Sequence, residues 1–171
     1  MRSRHRLASI GAVGAVGAVI VVGGVSTAAA ARDDGPSSLV EDFSYPGADA
    51  ITNVKLISGD GHIVYADCAT TPVNGIGVLK VHTSQNLGDV VCFKILAATG
   101  LLNLELPGVY EIRGDGQTSD SGHEVTATVL PEGGSAVRVE CDPNSSTPVG
   151  KGIDENDPAT TLLKLEVHGQ L

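Results

Sequence analysis

VKLISGDGHIVYADC, from Val54 to Cys68, reads as two β-rich runs joined at Gly59-Asp60-Gly61 and ending on a cysteine. Asp-Gly between such runs is a strong reversal signal, because glycine reaches positive φ without steric cost and an aspartate side chain caps nearby amides. The stretch therefore predicts strand Ile51–Ile57, a tight hairpin-type reversal and strand His62–Cys68. It names a fold element and no reaction.

Outward from this unit the same grammar repeats. Ile76–His82 and Val90–Leu96 are short runs rich in Val, Ile and Leu, separated by polar segments. They are too short for ordinary helices and are read as strands. In Ala97–Leu106, Leu102, Leu104 and Leu106 alternate with Asn103 and Glu105, while Gly100 and Pro107 oppose a helix. Pro107-Gly108 is expected to turn that strand into a following one, Val109–Ile112. His123–Leu130, Ala136–Cys141 and Leu162–His168 alternate apolar with polar residues. Their predicted core faces are Val125, Ala127 and Val129; Val137, Val139 and Cys141; and Leu163, Leu165 and Val167. Roughly eight or nine strands without a helix-sized pattern predict an all-β fold, an antiparallel two-sheet β-sandwich. A closed β-barrel buries the same alternation and is the alternative.

The N-terminus reads as a targeting signal. Arg2, Arg4 and Arg6 precede an apolar Gly/Ala/Val-rich run, and Ala28–Ala31 supplies a small-residue cleavage context, so residues 1–31 read as a signal peptide. A retained anchor is the competing reading, opposed by the glycines in the run and the processing-type alanines behind it. Residues 32–38, RDDGPSS, form an expected flexible arm, and residues 39–171 a single β-sandwich domain. Cleavage leaves eight basic and twenty acidic residues, a formal charge of −12. Such a surface opposes non-specific nucleic-acid binding and attraction to anionic bilayers. The few aromatic rings, with no tryptophan, also argue against a stacking platform.

Cysteines stand at 68, 92 and 141. In an oxidising compartment one disulfide and one leftover thiol are expected. Cys68–Cys92 is preferred because short connections can bring their two runs side by side, with Cys68–Cys141 and Cys92–Cys141 as rivals. The dispersed spacing gives no structural zinc pattern.

Two long polar reversals are the candidate interaction loops. Arg113–Gly122 contributes Arg113, Gly114, Asp115 and Asp120; Asp142–Asp157, within the polar connection that runs to Thr161, contributes Asp142, Asn144, Asp154 and Asp157. Recognition residues commonly sit on loops carried by a rigid scaffold. Arg113-Gly114-Asp115 resembles the integrin-recognition tripeptide of extracellular adhesive proteins, although Gly-Asp-Gly has a turn-forming explanation of its own. The clustered carboxylates suit calcium chemically, but the full calcium-loop pattern is absent and solvated acidic loops are the simpler reading. Asn144-Ser145-Ser146 is a glycosylation sequon if the cell has that machinery. His62, His82, His123 and His168 show no metal-site or nucleophile-elbow spacing. No catalytic, cofactor or metal residue is assigned.

The expected function is a secreted, non-catalytic interaction or envelope-associated β-domain that binds an extracellular protein or other macromolecule through polar loops. A secreted enzyme inhibitor is a more specific form. A secreted hydrolase with a nonlocal active site is the alternative from another class.

Overall fold

A computed structural model describes residues 44–85 and 90–171, which belong to one compact unit, Val40–Leu171. The expected signal peptide and N-terminal arm lie outside the described residues. The strands are β1 (Lys55–Gly59), β2 (Ile63–Ala66), β3 (Leu79–Thr83), β4 (Val90–Ile95) and β5 (Gly100–Arg113). They continue with β6 (His123–Pro131), β7 (Val137–Cys141), β8 (Ser146–Pro148) and β9 (Thr160–Gln170). The helical content of the described residues is two short 3-10 turns, Ala48–Ala50 and Gly150–Gly152. The protein is all-β, and its strands form one nine-stranded antiparallel sheet that does not close, so the barrel alternative is set aside.

The strand order is β2-β4-β3-β5-β9-β6-β7, with β1 and β8 also bonded to β5. The stretch around Gly59-Asp60-Gly61 is thus a corner and not a hairpin. β1 pairs with β5 (Lys55↔Glu105, Gly59↔Leu102), whereas β2 pairs with β4 (Ile63↔Ile95, Ala66↔Cys92). Asp60 Oδ1 still accepts the His62 amide at 3.0 Å, as the turn chemistry requires, while the Asp60 amide donates to Leu101 O at 3.1 Å. The local reversal is as expected; the partners of its two arms are set by surfaces far along the chain.

β5 has the most strand partners: β1, β3, β8 and β9. Its first half lies between β1 and β9, and its second half pairs with β3 (Val81↔Ile112) and β8 (Ile112↔Thr147). The change falls at Pro107-Gly108, which is a bulge within one strand and not the expected turn. The pairing to β9 slips between Leu106 and Val109, and that to β3 slips between His82 and Thr83. Gly108 adopts φ 70°, and its carbonyl accepts the Ser84 amide at 2.9 Å. Proline without an N–H followed by a residue at positive φ suits a bulge that re-aims a strand.

The core joins both halves of β5. Leu102, Leu104, Leu106 and Ile112 pack in one buried cluster with Leu79, Val81, Phe93, Val125, Ala127 and Leu165. Two expected core faces shift. In β9, Leu162 is fully buried and Leu163 half-buried, because β9 carries an extra residue between Val129↔Leu162 and Thr128↔Lys164, and a one-residue bulge inverts the phase. In β7, Cys141 is buried but Val137 is 49% exposed and Val139 only half-buried, since β7 is an edge strand. Cys68 and Cys92 form the preferred disulfide, and Cys141 is free and buried. Among the described residues no helix is long and apolar enough to cross a membrane.

Candidate functional site

Both candidate loops begin at strand ends, and the structure brings their nearer parts together. The Gly114 amide donates to Ser145 O at 3.0 Å and the Gly116 amide to Pro143 O at 2.9 Å. Asn144 Nδ2 donates to Ser119 O at 3.1 Å. The approach is close enough to demand glycine at 114, where a Cβ would stand 2.2 Å from Pro143 O. A third segment, Pro72–Gly77, completes the surface. The Gly77 amide donates to Asp115 O at 2.7 Å and the Gln117 amide to Gly75 O at 2.8 Å, and Ile76 bridges Gly116.

Beneath this junction sits a buried hydrogen-bonded couple, Asp115 with His123. Asp115 is 0% exposed and His123 4%. Asp115 Oδ1 accepts the His123 amide at 2.8 Å, and Oδ2 lies 2.6 Å from His123 Nδ1. A carboxylate only accepts, so its ionised form requires the proton on Nδ1. Ser121, also buried, is a second pin: its Oγ lies 2.8 Å from Gly75 O and accepts the amides of Gln117 and Thr118, each at 3.0 Å. The tip Gln117–Asp120 therefore projects from a hydrogen-bonded base.

The individual candidates separate clearly. Arg113 is half-buried inside β5, Gly114 is buried, and Asp115 turns its carboxylate inward, so the Arg-Gly-Asp tripeptide does not present the carboxylate that integrin-type recognition requires. Asp120 and Asp142 are exposed, and Asn144 is half-buried between the loops. Asp154 and Asp157 belong to a separate turn, where the Asp157 amide bonds Asp154 O at 2.9 Å. The backbone and side-chain amides of Asn156, both bonded to Asp154 Oδ1, lower the pKa of that carboxyl.

Four of the loop aspartates share a structural occupation. Asp60, Asp67, Asp142 and Asp154 each accept the amide two residues on, at 2.8–3.0 Å. This is the aspartate turn, and it gives these four carboxylates a structural role. Among the described residues no group of three or more His, Cys, Asp or Glu side chains is arranged to hold a metal.

A second polar cluster lies on the outer face of β6, β7 and β9. Thr126 Oγ1 stands 2.9 Å from both Glu140 carboxylate oxygens and 2.8 Å from His168 Nε2, beside a cleft of about 590 Å³ that Cys141 also lines. The order is wrong for a nucleophilic triad. There the imidazole stands between hydroxyl and carboxylate, whereas here the hydroxyl stands between carboxylate and imidazole. Burial pushes the Cys141 thiol up to about 12, which removes it as a nucleophile near neutral pH.

Sequence reasoning missed the contribution of Pro72–Gly77 and the role of Ser121. Asn74-Gly75 carried a turn signal. Ser121 pins its own loop through the Gln117 and Thr118 amides and also reaches Gly75 O, 46 residues away, a contact that nothing local marks. Comparison of the chain with known protein families and with curated proteins finds no match.

Proposed function

We propose that the protein is a secreted, non-catalytic binding domain that engages another extracellular macromolecule through the surface built from Pro72–Gly77, Gly114–Ser121 and Asp142–Ser146. The observation that carries the reading is the convergence of loops distant in sequence onto one hydrogen-bonded base around buried Asp115 and His123. Val73, 67% exposed, offers an apolar contact, with Gln117–Asp120 and Ser145 as a polar rim. Pre-ordering these loops reduces the entropy lost on binding. An enzyme inhibitor that inserts the Gln117–Asp120 tip into a cleft is a specific form of this proposal. Against a hydrolase stand the order of the Thr126 cluster and the unreactive Cys141 thiol.

The scaffold is proposed to be a two-layered sandwich made by folding the sheet at Pro107-Gly108. Gly100 pairs with Val167, which pairs with Val125, two residues from His123; Asp115 binds His123. A straight chain from Gly100 to Asp115 spans about 50 Å, whereas the path through these contacts is about 20 Å. β5 must double back, which supports two facing layers around the single core.

Val73→Asp and Asp120→Lys test the surface. Immobilised protein is exposed to medium from the producing organism, and retained partners are quantified. The expected result is a stoichiometric partner held by the natural protein and lost by both variants, with circular dichroism and the thermal transition unchanged. Equal retention by both variants, or loss of binding only together with unfolding, rejects this surface as the binding site.

A further inference from the structure

β7 is a regular edge strand. Its pairing with β6 runs without a register shift from Val129↔Val137 to Val125↔Cys141, and among the described residues no second strand pairs with it. Other flanks of the sheet are blunted. Tyr45 Oη accepts the Tyr65 amide at 2.7 Å beside β2, Ser44 bridges Ser58 beside β1, and β8 is three residues long with a proline. β7 contains no proline or bulge, two devices that discourage edge pairing, and its two charges, Arg138 and Glu140, are of opposite sign.

The direction of its outer backbone groups follows from β6. The Glu132 amide donates to Ala159 O, and Gly122 O accepts the Leu171 amide, so even-numbered residues of this strand address the β9 side. Alternation turns Val125, Ala127 and Val129 toward β7. Val137, Val139 and Cys141 then direct their backbone groups to β6, and those of Arg138 and Glu140 point outward. On the core-facing side Val137 remains 49% exposed.

We propose that β7 pairs with the β7 of a second copy, antiparallel about a two-fold axis through Val139. In this register Arg138, which bonds Glu166 of its own chain at 2.6 Å, and Glu140, which bonds Thr126, face each other across the copies at two symmetric positions, and their outward amides and carbonyls form about four hydrogen bonds. Val139 meets its own copy at the axis, and each Val137 is covered beside Cys141 of the second copy. The neighbouring registers that keep the outward groups in contact centre on Arg138 or Glu140. The first sets Arg138 opposite Arg138; the second sets Glu140 opposite Glu140 and extends the pairing to Asp142, which lies beyond the strand and whose amide already donates to Thr147 Oγ1 at 2.8 Å. The sequence Val-Arg-Val-Glu-Cys is thus self-complementary in one register.

Sedimentation velocity over a concentration series, on protein recovered from the cells that make it, is the test. The natural protein is expected to form a concentration-dependent dimer. Arg138→Glu and Glu140→Arg each set like charges at both symmetric positions and are expected to weaken association about tenfold or more. An equimolar mixture of the two variants restores opposite charges throughout and should recover a heterodimer, a rescue that no folding defect imitates. A natural protein that stays monomeric overturns the proposal, as do single variants that dimerise like it or a mixture that remains monomeric. A dimer linked through Cys141 also overturns it, because this register separates the two Cys141 positions by about 13 Å along the strands, beyond disulfide reach.

Discussion

Asp115 shows how far a residue's type can be read without its partner. Gly114-Asp115-Gly116 was legible as turn chemistry, and the polar run after it suggested exposure. Yet both carboxylate oxygens face His123, eight residues on. Replacing Asp115 by alanine leaves a buried amide and a buried ring nitrogen without their acceptor. Leaving such groups unsatisfied costs about 3 kcal/mol, and Asp115→Ala is expected to lower the urea midpoint accordingly with an unchanged slope. Exposed Asp120, changed to alanine, should shift stability by less than about 0.5 kcal/mol. Equal effects at the two positions would contradict the buried couple. The burial of His123 depends on how the sheet folds, which no local spacing encodes.

At the level of elements, alternation was the readable signal and phase was the fragile one. Leu102, Leu104 and Leu106 are buried as their period-two spacing predicts. Val125, Ala127 and Val129 follow the same rule. The expected turn at Pro107-Gly108 failed because the composition of a bulge and of a turn is the same; the difference lies in whether neighbouring strands continue past it. β9 lost its expected Leu163 face for a related reason, since a bulge is defined by a partner's register. Gly108 makes the case testable. At φ 70° an added Cβ would meet Gln85 Cγ at 2.6 Å and Ser84 Oγ at 2.7 Å. Gly108→Ala is expected to cost about 2 kcal/mol and to lower the thermal midpoint, combining left-handed backbone strain with crowding. An unchanged midpoint would mean that the strand can pass this point without a bulge.

For the whole molecule, strand identity was far more legible than strand order. Short Val- and Leu-rich runs announce themselves, but which edges meet depends on surfaces assembled from the entire chain. The cystine was the exception, because Cys68 and Cys92 lie only 24 residues apart. It ties the segment after edge strand β2 to β4, and the chain-entropy argument assigns it about 3 kcal/mol. Replacing both cysteines by alanine should lower the guanidinium unfolding free energy by that order, and an unchanged midpoint would remove this role. The sheet order has a further consequence. β9 is last in sequence among the described strands but lies between β5 and β6, bonded to both. A chain emerging from the ribosome cannot join these strands until β9 has arrived. Completion of the sheet must therefore be late and collective, and a nascent chain halted before β9 would expose two long unsatisfied strand edges to whatever chaperone attends it.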